Sequence, residues 1–399
     1  MPKILQINVT ANWGSTGRIA EQINKSAFTA GWSCWIAYSR HKNESQSMLI
    51  KIGTKFDVVA SVIEARLLDR GGLSMRKATN GLIKKIKEVQ PDIIHLHNIH
   101  GYVLNYQILF EYLNQTRIKV VWTFHDFWAM TGHCAHFVDV NCDKWKSTCH
   151  ECPKSLGYPK SYIDFSQRNH ELKRKLFTAN KNLHIVAVSE WVANYVRASF
   201  FKNNKISVIH NGVDLSVFRS IQTKNDKRFS VIAVSNVWTR SKGLYDIYKL
   251  RELLPDEIEI KIVGLSGKQV RNLPTGIDGI TRTQNIDELV KLYSQADVLI
   301  NPTYADSFPT VNLEALACGT PVITYRTGGS PEAIDEMTGT VVEQGDVKAL
   351  ADAIFKMRNK PLSSEKCRER AEKFFDKDKC FQQYISLYEE LLKRKKEKG

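Results

Sequence analysis

Short apolar, β-branched runs alternate with helical stretches along the whole chain, and this alternation restricts the possible folds more than any other feature. Residues 4–9, 92–97, 120–123 and 184–188 read as buried strands in the first half, and 229–235, 258–263, 298–301 and 322–325 in the second. The clearest intervening helix is expected at 16–30, and Ser189 sits where a helix N-cap belongs. Strands separated by helices give doubly wound parallel sheets, an α/β architecture. Ligands of such sheets bind beyond the carboxyl ends of the strands. A chain of 399 residues is long enough for two or three domains.

The charge is unevenly placed. Residues 1–220 carry 29 Lys and Arg against 16 Asp and Glu, whereas residues 221–399 carry 28 against 26. A basic first half points either to an anionic partner or to a plain solvated surface. The N-terminus lacks the apolar core of a signal peptide, and no apolar run reaches the roughly 18 residues of a membrane span, so a cytoplasmic protein is expected. There is no aromatic-basic stripe or recognition-helix pattern, which argues against a nucleic-acid partner.

Several motifs fall where strands end. Asn12-Trp-Gly14-Ser-Thr-Gly17-Arg18 follows the first strand and opens the first helix, and reads equally as a tight turn or as an anion loop. Thr123-Phe-His125-Asp126 ends a strand of the first half; the nearby His95, His97 and His100 read as polar lining on the acceptor side. Val237-Trp-Thr-Arg240-Ser-Lys242-Gly243 follows the first strand of the second half, where cations would neutralise a departing diphosphate. Asp306-Ser-Phe-Pro-Thr-Val-Asn-Leu-Glu314 sets two carboxylates eight positions apart across a loop that enters a helix. Phe308, Pro309, Thr310 and Val311 lie at that helix start, where free N–H groups can hold a diphosphate.

The last segment resembles the E-x(7)-E signature of glycosyltransferase family 4, with Asp306 in place of the first Glu. The resemblance covers nearly the whole chain and is strongest from Val208 to Gly345. It implies a retaining hexosyltransferase of the GT-B fold: two Rossmann-like domains facing across a cleft, with a C-terminal helix crossing back to the first. The expected domains are 1–220 on the acceptor side, 228–378 for the nucleotide sugar, and a returning helix over 379–399, with 219–228 as linker. In such an enzyme Gly14 and Gly17 reach the donor diphosphate, Lys242 and Arg240 neutralise it, Asp306 orients the sugar and Glu314 the ribose. His125 matches the histidine that contacts the donor sugar. Family members usually carry an Arg where this chain has Asn236 or Val237. The implied donor is a nucleoside-diphosphate sugar, with UDP expected, and the implied acceptor a polyprenyl-diphosphate-linked oligosaccharide of bacterial surface polysaccharide synthesis. No cofactor is implied for catalysis. An epimerase or phosphorylase on the same scaffold is the alternative, and a basic nucleic-acid-binding protein a remoter one.

Cys134, Cys142, Cys149 and Cys152 crowd into an insert over 131–153. In a cytosolic chain four close cysteines point to structural zinc, with reduced free thiols as the other reading. Segments 57–70 and 73–89 are amphipathic and basic. Their apolar positions (Val58, Val59, Val62, Ile63, Leu67, Leu82, Ile83, Ile86) are expected to pack on the sheet, leaving Arg76, Lys77, Lys84, Lys85 and Lys87 free to meet an anionic membrane surface.

Overall fold

The computed structural model describes residues 1–221 and 228–396. The expected linker therefore falls mostly on 222–227, outside the described residues. The described chain divides into two compact units, Met1–Ile209 with Phe381–Gly399, and His210–Cys380.

The first unit runs β1 (Lys3–Ile7), α1 (Gly14–Thr29), β2 (Ser33–Tyr38), β3 (Met48–Lys51), α2 (Lys55–Leu68), α3 (Arg76–Val89), β4 (Ile93–Leu96), α4 (Tyr106–Leu113), β5 (Lys119–Phe124), α5 (Ser166–Thr178), β6 (Leu183–Ala187), α6 (Glu190–Ala198) and β7 (Lys205–Val208). Its seven strands are all parallel, in the order β3-β2-β1-β4-β5-β6-β7. Strand order reverses between β1 and β4, so the loops leaving those strands diverge and open a crevice. Ser189 caps α6 as expected, accepting from the Val192 amide at 3.2 Å.

The second unit continues with β8 (Phe229–Val234), α7 (Leu244–Leu253), β9 (Ile258–Val263), α8 (Gly267–Arg271), β10 (Ile277–Ile280), α9 (Ile286–Gln295), β11 (Val298–Asn301), α10 (Thr310–Ala317), β12 (Val322–Tyr325), β13 (Gly339–Val342), α11 (Val347–Asn359) and α12 (Ser364–Phe374). Its six parallel strands run β10-β9-β8-β11-β12-β13, with the reversal between β8 and β11. Ile260, Ile262, Val298 and Ile300 fill its core against Ile247, Leu250 and Ile354 of the covering helices.

The last helix, α13 (Lys377–Lys396), begins in the second unit and re-enters the first at Phe381. There Phe381, Tyr384, Ile385 and Tyr388 join Ile4, Ile23, Ile93 and Val121 in one buried cluster. Tyr388 Oη lies 2.7 Å from His95 Nδ1, and His95 Nε2 lies 2.8 Å from Thr123 Oγ1, which donates to Tyr384 Oη at 3.3 Å. His95 is thus a fully buried strut between the sheet and the last helix, not the polar lining expected of it.

Helix α2 departs from expectation as well. Its capping box closes between Thr54 and Asp57, yet it buries Ser61 and Ala65 and turns its large side chains outward. Phe56, Val59, Ile63 and Leu67 are 87%, 57%, 52% and 53% exposed. Small residues let the helix approach its neighbours closely, which leaves the apolar stripe i, i+3, i+7, i+11 facing solvent. Helix α3 behaves as expected, with Leu82 and Ile86 buried and its lysines outside.

Tyr388→Phe should destabilise the first unit by about 1–3 kcal/mol, because it strands a buried imidazole nitrogen. Chemical unfolding monitored in that unit would detect the loss, and an unchanged midpoint would mean that the Tyr388–His95 bond carries no weight.

Candidate active site

The second unit places its motifs on the two loops that flank its topological reversal, whereas the first places its glycines at the start of α1 and His125 after β5. In the second unit the loop after β8 carries Arg240 and Lys242, and the loop after β11 carries Asp306. Backbone bonds strap the two loops together: the Tyr304 amide donates to Ser241 O at 2.8 Å, and Thr303 Oγ1 to the same carbonyl at 3.4 Å. Gly243, at φ +77°, lies so close to the β11 loop that a Cβ would fall 2.1 Å from Pro302 O; this explains the glycine after Lys242. Gly328, at φ +60°, plays the same part on the far side, where a Cβ would fall 1.7 Å from Asp306 O.

Within this frame Lys242 Nζ donates to Asp306 Oδ2 at 2.7 Å, and both side chains are partly exposed. Such a pair contributes at most about 1 kcal/mol to stability. Lysine has three donors and Asp306 takes one, so the others remain for an incoming anion. Pro309 caps α10 without a side-chain hydrogen bond, which leaves the amides at its start to other acceptors. Phe308 is buried, with His210 stacked on its ring at 4.7 Å, so the turn entering α10 is packed from below. One turn into α10, Glu314 Oε2 accepts from the fully buried Tyr293 hydroxyl at 2.9 Å. Burial and the Glu314 charge together hold the Tyr293 phenol well above its usual range, so it remains a donor. Arg240 is exposed beside this loop pair, and Val237 stands 66% exposed where the resemblance calls for an Arg.

In the first unit Gly14 and Gly17 lie in the first turn of α1, directly after the loop that leaves β1. A Cβ at Gly17 would fall 2.6 Å from Thr10 Oγ1, so close packing of α1 on its own entry loop accounts for that glycine. Gly14, at φ +66°, has open space where its Cβ would be. At the ends of β4 and β5, His97 Nδ1 lies 3.0 Å from His125 Nε2. Burial takes the His125 imidazole down to about 4, against the opposing charge of Asp126. Asp126 Oδ2 lies 2.7 Å from His100 Nε2; burial pushes the carboxyl up, but His100, His136 and the Trp128 amide together hold it down to about 2.

The Cys insert is a separate knot. All four of its cysteines are free thiols, with Cys134 and Cys149 buried. Cys134 donates to Cys152, which draws the Cys152 thiol down to about 7 despite burial and leaves Cys134 raised. The Gly132 amide donates to Cys149 Sγ at 3.3 Å. Buried Lys173 donates to Trp128 O and Thr131 O at 2.7 and 2.9 Å, and His133 is held by Asp69 at 2.5 Å. Among the described residues no three His, Cys, Asp or Glu side chains are grouped so as to hold a metal ion.

Residues 30–217 match the sequence pattern of Glycosyltransferase Family 4, and residues 228–360 match that of the group 1 glycosyl transferases. The chain belongs to glycosyltransferase family 4. It is 26% identical over 428 aligned residues to the Escherichia coli K12 protein named as a colanic acid biosynthesis glycosyl transferase, WcaC, taking in 97% of this chain and 100% of that one. It is 25% identical to the capsular polysaccharide biosynthesis glycosyltransferase CapM of Staphylococcus aureus, over 52% of this chain and 62% of that one. In three dimensions it is similar to sucrose-phosphate synthase from Thermosynechococcus elongatus, with TM-score 0.74 at 18% identity over 99% and 100% of the two chains. Anabaena HepE, solved in complex with UDP, gives 0.67 at 14% identity over 98% and 100%. Both units of this family 4 glycosyltransferase are Rossmann-like, and its fold is GT-B.

Lys242, Asp306 and Glu314, singled out from the sequence, are brought together on the two loops at the reversal and on α10. Sequence reasoning missed Tyr293, which fixes Glu314, and Gly328, which abuts the Asp306 backbone. The Thr327-Gly328-Gly329 triplet was the available signal for the second; nothing local marks the first.

Proposed function

We propose that this glycosyltransferase moves a hexosyl group, with retention, from a nucleoside-diphosphate sugar to a polyprenyl-diphosphate-linked oligosaccharide in the assembly of a bacterial surface polysaccharide. The observation that carries the reading is the convergence of Lys242, Asp306, the open start of α10 and the Tyr293-anchored Glu314 on the two loops at the sheet reversal of the second unit. Two relatives, WcaC and CapM, bear names from colanic acid and capsular polysaccharide synthesis, which supports the acceptor class. HepE, of the same fold, was solved with UDP and with UDP-glucose, which supports UDP as carrier.

In this reading the acceptor hydroxyl forms its bond to the anomeric carbon on the face the diphosphate is leaving. The anomeric bond to the diphosphate oxygen breaks, and a diphosphate oxygen takes the hydroxyl proton. Lys242, exposed Arg240 and the amides of Phe308, Thr310 and Val311 stabilise the developing charge, since preorganised donors are worth most where charge grows. Glu314 receives the ribose hydroxyls, and Asp306 orients the sugar while holding Lys242. Gly14 and Gly17 lie at the start of α1, where a helix N-terminus suits an anion, and His125 meets the sugar.

Two further parts of the reading concern the first unit. The apolar stripe Phe56, Val59, Ile63 and Leu67 would enter an anionic bilayer surface, with exposed Arg76, Lys77 and Lys84 of α3 meeting lipid headgroups. Among the described residues no helix is long and apolar enough to cross a membrane, so attachment of this kind would be peripheral. Cys134, Cys142, Cys149 and Cys152 would take one structural zinc as thiolates once they turn toward one another, since a set of four thiolates suits zinc.

Lys242→Ala and Glu314→Ala should each lower transfer by roughly a hundredfold or more with the fold intact, measured as product formation from a radiolabelled UDP-hexose panel; near-normal turnover in both would refute the site. Phe56→Ser with Ile63→Ser should lose most binding to vesicles of anionic phospholipid at low salt, and binding at the native level would return the stripe to an inert surface. Metal analysis of the purified protein should find about one zinc per chain. A zinc-free sample that unfolds at the same temperature would leave only hydrogen-bonded thiols.

A further inference from the structure

Behind His125 lies a buried chain of polar groups that the transfer reaction does not itself explain. Gln6 is fully buried on β1. Its Nε2 donates to Ala20 O at 2.7 Å and to Asn24 Oδ1 at 2.6 Å. Both partners are acceptors, so the amide has one orientation, and Oε1 faces His97 Nε2 at 2.5 Å. An amide oxygen only accepts, so the proton sits on His97 Nε2. His97 is buried with no carboxylate beside it, and its neighbours are His95 and His125. Burial without a counter-charge holds its imidazole neutral. Its Nδ1 is therefore a lone pair, and the 3.0 Å contact to His125 Nε2 requires the proton to sit on the His125 side. His125 is neutral for the same reason of burial. Its remaining nitrogen, Nδ1, then carries a lone pair, has no hydrogen-bond partner among the described residues, and belongs to a half-buried side chain.

We propose that Gln6 and His97 are positioning residues that lock His125 in its Nε2–H form, so that His125 Nδ1 accepts a hydrogen bond from a sugar hydroxyl. The sense of that bond differs from the usual picture of a histidine donating to its ligand. It selects a neutral hydroxyl at this point of the sugar and turns away a carboxylate or phosphate, which would bring lone pair against lone pair. The proposal rests on the sugar-transfer reading for the identity of the ligand, but the tautomer itself does not depend on any ligand.

The test is histidine-labelled 15N NMR of the full chain at pH 7 without nucleotide, with the His125 signals assigned by their loss in His125→Gln. His125 should appear as the Nε2–H tautomer. An Nδ1–H tautomer, or an imidazolium, overturns the proposal. Gln6→Met removes the acceptor that holds the His97 proton. A second population of His125 with the proton on Nδ1 should then appear, and kcat/KM for transfer should fall about tenfold, the worth of one such hydrogen bond. A His125 spectrum unchanged in that variant removes Gln6 from the role. If Gln6→Met does not fold, the wild-type spectrum still decides. Failure of every nucleotide sugar to react would count against the transfer reading and leave the tautomer result standing.

Discussion

The organisation of this molecule follows from one constraint: right-handed crossovers between parallel strands force neighbouring loops apart wherever the strand order reverses. Each sheet reverses once, between β1 and β4 and between β8 and β11. The glycine loop leaves β1 and the His97–His100 segment leaves β4; the Lys242 loop leaves β8 and the Asp306 loop leaves β11. In the second unit these loops leave Lys242 and Asp306 partly exposed, whereas in the first unit His97 and His100 are buried and held by Gln6, His125 and Asp126.

Loops freed in this way would be mobile unless fixed by other means, and the second unit shows how that is done. Ser241 O accepts twice from the β11 loop, and Gly243 and Gly328 bring backbone against backbone on either side of it. Added together these contacts hold Lys242 and Asp306 in register without burying them. A buried ion pair would have cost several kcal/mol of desolvation and would have left no donor for a ligand. Glu314 follows the same economy, since a buried tyrosine hydroxyl orients one of its oxygens.

Central strands were the most legible part of the sequence. Ile258–Val263, Val298–Asn301 and Val322–Tyr325 were expected at their observed limits, the first because apolar residues alternate with charged ones along it and the other two because strands covered on both faces are largely apolar. The strands that went unread include the four sheet edges, β3, β7, β10 and β13. Lys205-Ile-Ser-Val208 and Ile277-Asp-Gly-Ile280 mix polar and apolar residues because an edge is only half covered. Helix α2 was read with its apolar face inward because periodicity gives the stripe but not the side that meets the protein. Lys242, Asp306 and Glu314 were legible because each sits in a local motif. The Gln6–His97–His125 chain was not, since β1, β4 and β5 bring its members together only in space.

The aromatic pair on α13 bears on how the protein is made. Tyr384 and Tyr388 close the core around Ile4, Ile93 and Val121, nearly four hundred residues after that core's first strand has left the ribosome. The opening half of the polypeptide must therefore wait, with part of its interior uncovered, until α13 has been made. Contacts so distant in sequence slow folding and lengthen exposure to aggregation. A nascent chain stalled just as α13 begins to enter the first unit would hold a finished second unit and a first unit that cannot close.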